Sequence, residues 1–72
     1  MVKLRRFVLN RSEDVSGTSG TGIVAEGAEF ASAMCVLHWN SEMPSVAVYR
    51  NMDELLRIHG HEGRTKVEFI DS

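Results

Sequence analysis

The pattern of hydrophobic and polar positions is most regular between residues 51 and 59, where it predicts one short helix. Asn51 is a favoured N-cap residue, and Glu54 can reach back to the Asn51 N–H as in a capping box. Gly60 stands where a left-handed residue commonly ends a helix. Such a short helix needs packing to be stable. The positions predicted to share its core face are Met52, Leu55, Leu56 and His59.

Strands are predicted on both sides of this helix, because hydrophobic residues alternate with polar ones there. The segment 45–49 precedes the helix, and 65–69 follows it with Thr65, Val67 and Phe69 on one face. The segment 33–39 is apolar on both faces as far as His38, which is typical of a strand inside a sheet.

Two further strands are predicted nearer the N-terminus, over residues 1–9 and 21–30. Phe7 and Leu9 share a face of the first, and Gly27 in the second indicates a bulge or a close backbone approach. The glycine-rich stretch 17–22 leads into a strand and lacks a following Lys-Ser/Thr pair, so it predicts a hairpin loop rather than a phosphate loop.

These elements predict one small α+β domain over residues 1–72, in the order β-β-β-β-α-β. The sheet is expected to be mostly antiparallel and strongly curved, with the helix across one face or plugging one end. A lone cysteine excludes an internal disulfide, and no apolar run approaches the roughly 20 residues of a membrane span. We therefore expect a cytoplasmic protein with no signal peptide and no membrane association.

Charge is distributed unevenly along the chain, with four basic residues and no acid in the first eleven positions and a net −2 overall. One interpretation is that the first strand lies at an edge, where Lys3, Arg5 and Arg6 prevent aggregation. The alternative is an RNA or single-stranded DNA contact, although the net negative charge disfavours it. The residues that would contact phosphate are Lys3, Arg5, Arg6 and Arg11.

A metal site is a further alternative, because four side chains of the chain are possible zinc ligands. They are Cys35, His38, His59 and His61. Cys35 and His38 would point to opposite faces of a strand, which argues against a shared ion. The other interpretation treats Cys35 as a small buried hydrophobe and His59 as a residue contacting the last helical carbonyls. No cofactor is therefore expected.

Catalysis is not expected either. A nucleophilic Cys35 would need a base on its own face of the strand, and no Ser-His-Asp arrangement can be read from the spacing. The paired carboxylates Glu26 and Glu29 are more simply explained as a solvated face of a sheet. So small a domain also has little room for a substrate pocket.

Large side chains that favour protein contacts cluster around the turn 40–44. Tyr and Trp are enriched in protein interfaces. We therefore predict a non-enzymatic protein-binding module whose partner surface combines the aromatic cluster with the arginines of the first strand: Trp39, Met43, Tyr49, Arg5 and Arg6. A core position for Trp39 is the competing interpretation. A homodimer is compatible with an open sheet edge, because an edge strand can accept a further strand.

Six segments of the chain carry a resemblance to known sequences: 6–9, 14–17, 19–30, 37–39, 59–63 and 65–71. Together they resemble a family of short uncharacterised proteins found in bacterial, archaeal and phage genomes. The resemblance covers nearly the whole chain and implies no particular activity, but it makes an accessory or host-directed phage role an expectation. One departure is that Ala31-Ser32-Ala33 stands where such proteins often have an Asp-Gly turn.

Overall fold

The computed structural model describes residues 3–12, 22–60 and 63–71, which form a five-stranded antiparallel sheet with one helix on one of its faces. The predicted order β-β-β-β-α-β and the small α+β class are confirmed. The predicted hairpin loop at 17–22 lies almost wholly outside the described residues. The elements are β1 (Arg5–Arg11), β2 (Gly22–Glu29), β3 (Cys35–Trp39), β4 (Val46–Tyr49), α1 (Met52–His59) and β5 (Thr65–Phe69).

The strands are arranged in the spatial order β4-β3-β2-β1-β5, so the edge position predicted for the first strand is wrong. The helix returns the chain across the sheet, and β5 pairs with the side of β1 that was expected to be open. The arginines of β1 are used inside the fold instead. Arg5 bonds Glu29 at 2.7 Å, and Arg6 bonds Asp71 at 3.0 Å.

The hydrophobic core lies between the helix and one face of the sheet, which we call the helix face. Phe7 and Leu9 are fully buried there, as the alternation in β1 predicts. Gly27 lies opposite Phe7, and a Cβ at Gly27 would collide with the Val36 carbonyl oxygen and the Phe7 ring. The predicted close approach at Gly27 is therefore confirmed, whereas the register shift of the β1–β2 pair falls between Leu9 and Asn10.

The helix begins and ends where the sequence predicts, at residues 52 and 59. The Asn51 side chain accepts a hydrogen bond from the Glu54 N–H at 2.8 Å, which satisfies one orphan donor of the first turn. The Glu54 carboxylate accepts from the Arg50 N–H rather than from Asn51, a correction of one residue to the predicted capping box. Gly60 is right-handed (φ −69°), so its predicted left-handed conformation is wrong, and Gly63 is left-handed (φ +91°) instead.

The β2–β3 connection is a tight turn that uses alanine where related sequences were expected to have glycine. Ala33 adopts a left-handed conformation with φ 79°, and its N–H donates to the Phe30 carbonyl at 2.9 Å. The Phe30 N–H donates in turn to the Met34 carbonyl at 2.8 Å. The turn is thus closed without the Asp-Gly pair, although a left-handed alanine is strained.

The C-terminal end of the described chain is attached to β1 by an ion pair. Asp71 accepts hydrogen bonds from the Arg6 backbone N–H and guanidinium, and these bonds lower the pKa of Asp71 from 3.8 to about 2. Because the folded-state pKa is depressed, the pair stabilises the fold above pH 3.8. That contribution is lost as the pH falls towards 2.

Candidate functional site: the uncovered face of the sheet

The two aromatic residues predicted for the partner surface lie on the helix face, against the core. Tyr49 is 8% exposed, and its hydroxyl forms a 2.6 Å hydrogen bond with Nε2 of His59. The Trp39 ring is half-buried and meets the His59 ring edge-on, with 4.9 Å between centroids. Burial, with a smaller effect of the Glu54 charge, raises the pKa of Tyr49. These contacts support the core interpretation of Trp39.

The remaining three residues of that predicted surface do not meet. Met43 is exposed in the turn before β4. Arg5 lies on the helix face, where its guanidinium is 3.8 Å from the centroid of the Phe69 ring. Arg6 follows Arg5 along the strand and therefore points to the opposite face. The structure does not bring the five predicted residues together on one surface.

The four basic residues of the nucleic-acid alternative are separated in the same way. Arg11 is almost fully buried, donates to the Thr65 hydroxyl at 3.1 Å and lies 5.9 Å from the Trp39 ring centroid. Arg5 and Arg6 are engaged with acids on different faces. Lys3 is exposed ahead of β1. These positions do not form one cationic surface.

The possible zinc ligands that the structure describes lie on different sides of the sheet. Cys35 is buried on the helix face, its thiol donates to the Ala33 carbonyl, and burial raises its pKa. His38 lies on the opposite face, 3.9 Å from the Glu26 carboxylate. His59 is bonded to Tyr49, and His61 is outside the described residues. Within the described ranges, no group of three His, Cys, Asp or Glu side chains could hold a metal ion.

The opposite face of the sheet carries the feature that the sequence interpretation missed. No element among the described residues packs on this face, which we call the uncovered face. The strand registers place one row of mostly apolar side chains across β1 to β4 there, and Ile70, the residue after β5, continues the row through its N–H bond to the Arg6 carbonyl. From the β5 side to β4, the row consists of Ile70, Arg6, Ala28, Val36 and Val48.

Further apolar side chains adjoin this row and enlarge it into a patch. Val8 and Val46 belong to the next row, together with the polar Glu68, Glu26 and His38. Large residues of the patch are strongly exposed, with Val46 at 61% and Val48 at 64%. Single exposed hydrophobic residues are ordinary on a protein surface, whereas large contiguous apolar patches are uncommon on monomeric soluble proteins.

A signal for this face was present in the sequence. The strands β3 and β4 are apolar on both faces, with Val36 and Val48 out of phase with the buried Leu37 and Tyr49. A strand that is apolar on both faces is normally covered on both. The single predicted helix can cover only one face of the sheet. Comparing this one helix with two apolar faces could have shown that one apolar face stays uncovered.

The fold and this surface define a class of protein: a small α+β domain with an unclosed antiparallel sheet, helical cover on one face and an apolar patch on the other. The chain belongs to the family described as Acb5 phage protein, whose model matches residues 4–71. The phage association implied by the sequence resemblance is thereby confirmed, and its bacterial and archaeal spread stays a prediction. No curated protein and no solved structure matches the chain.

The structure also bears on the membrane. Over the part of the chain that is described, no helix is long and apolar enough to cross a bilayer.

Proposed function

We propose that this phage protein is a non-enzymatic protein-binding module that acts on a host protein through the uncovered face of its sheet. The observation that carries the proposal is the row of mostly apolar side chains across that face, on which no described element packs. Burying such a row would contribute about 25 cal/mol for each Å² of apolar surface removed from water, before the costs of association.

The distribution of polarity on this face suits a protein partner. Protein interfaces commonly have an apolar centre with few charges and a polar rim. Here Val36 and Val48 stand side by side, while Glu68 and Lys66 lie towards the other edge on β5. The Arg6–Asp71 ion pair borders Ile70 and neutralises the Arg6 charge within the row. A partner with a complementary apolar surface would meet little charge at Val36 and Val48, whereas it would need polar groups opposite Glu26 and His38, which lie 3.9 Å apart in the next row.

Two further observations favour binding over catalysis or nucleic-acid contact. The Cys35 thiol is buried with a raised pKa, which disfavours the reactive thiolate. The arginines that could contact phosphate are divided between the two faces, and two of them pair with Glu29 and Asp71. Phosphate binding would have to compete with these internal contacts.

The proposal is tested by capturing a partner from host lysate with a matched pair of isoleucine variants. Ile70 is 59% exposed at the β5 end of the row on the uncovered face, and Ile58 is 55% exposed on the helix. Ile70→Glu should reduce capture by about tenfold or more, because a desolvated carboxylate would enter the interface, at a cost of at least roughly 1.4 kcal/mol. Ile58→Glu should capture as much as the native chain.

Both variants are exposed-surface changes, so each should stay within about 0.5 kcal/mol of the native free energy of unfolding. Urea denaturation checks this before capture is compared. Equal capture by Ile70→Glu and the native chain would contradict the proposed surface, as would a loss confined to Ile58→Glu.

A further inference from the structure

The two edges of the sheet differ in a way that concerns association. The edge strand β5 carries Lys66 and Glu68, and charged side chains are a common protection of an edge against further pairing. The other edge, β4, reads Val46-Ala47-Val48-Tyr49 and has no charge. Beyond β4 the described chain places no further strand. The β4 edge is therefore the one that lacks charge protection.

The alternation of hydrogen-bonded pairs between β3 and β4 shows which backbone N–H and C=O groups of β4 point away from the sheet. The Trp39 N–H donates to the Ser45 carbonyl at 2.9 Å, so Trp39 and Ser45 form a hydrogen-bonded pair of the β3–β4 ladder. Hydrogen-bonded pairs recur every second residue in an antiparallel ladder, and the register places Ala47 opposite Leu37. The Ala47 groups thus bond β3, whereas the N–H and C=O of Val46 and Val48 point outward.

We propose that β4 pairs antiparallel with β4 of a second copy of this chain, about a two-fold axis through Ala47. Val46 of each copy then lies opposite Val48 of the other, and the outward groups of both residues form four inter-chain hydrogen bonds. Directly opposed residues share a face, so the valines of both copies extend one continuous uncovered face. The result is a ten-stranded sheet with both helices on the other face.

A second copy fits this edge because the edge is self-complementary. A two-fold axis makes the same patch serve both subunits, and the strand brings no like charges together. Glu42 precedes the strand and Arg50 follows it, so antiparallel pairing brings Glu42 of one copy near Arg50 of the other, which also pairs with Glu54 of its own chain at 3.0 Å. Both residues are exposed. This pairing of two β4 edges uses the strand edge alone and does not require the proposed host partner.

Amide hydrogen exchange measured residue by residue on the native chain tests the pairing. At high protein concentration the Val46 and Val48 amides should exchange at least about tenfold more slowly than on dilution, because only the paired edge protects them. The Ala47 amide should remain protected at every concentration, since it bonds β3 in either state. Fast exchange of Val46 and Val48 at every concentration would overturn the proposal.

Sedimentation equilibrium adds an independent readout. The native chain should approach twice its 8.0 kDa mass on concentration. Val46→Pro removes an outward N–H at the first residue of an edge strand, a position that tolerates proline, and should stay monomeric. Ile70→Glu should still dimerise, which separates this inference from the host-binding surface. The pairing would be overturned if Val46→Pro reached the same dimer mass as the native chain. It would also be overturned if the Val46 and Val48 amides were protected from exchange only when a host protein is added.

Discussion

Replacing Phe7 with alanine should lower the free energy of unfolding by about 3–5 kcal/mol, the usual cost of truncating a buried aromatic side chain. Phe7 is fully buried in an interior strand, where it lies opposite Gly27 and meets the Phe69 ring edge-on at 5.9 Å. A domain of this size has little stability in reserve, so much of the variant should be unfolded without denaturant. Urea denaturation followed by circular dichroism measures the loss.

Phe30 provides the matched control for this change. It is the same residue type, but it is 47% exposed at the end of the β2–β3 hairpin. Phe30→Ala should cost no more than about 1 kcal/mol, because close to half of its surface stays in contact with water. Equal losses for the two variants would mean that the core does not lie under the helix.

Gly27→Ala should destabilise the fold by about 1–3 kcal/mol, although it adds a single methyl group. The new Cβ would collide with the Val36 carbonyl oxygen and lie 2.8 Å from Cζ of Phe7. A ring can move, but a carbonyl held in the β2–β3 ladder cannot move without breaking pairing. The change is measured by the same urea denaturation.

A double variant distinguishes the two collisions. Phe7→Leu shortens the side chain and should relieve the ring contact in a Gly27→Ala background. The double variant should therefore lose less free energy of unfolding than the sum of the losses of the two single variants. The relief should be partial, because the Val36 carbonyl remains. A neutral Gly27→Ala would contradict the close approach of these strands.

The local elements could be predicted because neighbouring residues determine them. The helix bounds follow from the Asn51 cap and the spacing of the positions on its buried face. The strand faces follow from alternation, which placed Phe7 and Leu9 together in the core. The conformation of Gly60, which follows the helix, was less predictable, because it depends on how the chain continues towards β5.

The sheet order could not be predicted in the same way. It depends on where the chain returns after the helix, and β5 pairs β1 across more than fifty residues of sequence. The contact of Arg6 with Asp71 has the same origin. A basic first strand therefore suggested an exposed edge, whereas its arginines are partners for acids brought in from distant segments.

The candidate site was missed for a related reason. Aromatic residues near a turn suggested a surface, but Trp39 and Tyr49 contact His59 beneath the helix. The apolar residues of 33–39 were interpreted as evidence for a strand inside the sheet, and the segment 45–49 as a half-buried strand. Their meaning as an uncovered face emerges only when the single helix is known to occupy the other side.

The central claim is that one apolar face of the sheet stands open to solvent, and methyl relaxation by a soluble paramagnetic probe tests it most directly. The methyl groups of Val46, Val48 and Ile70 should relax strongly in the isolated protein. Those of Leu37 and Leu55, which are fully buried, should relax weakly. Equal protection of the valine and leucine methyls would contradict the account, because it would mean that the face is covered.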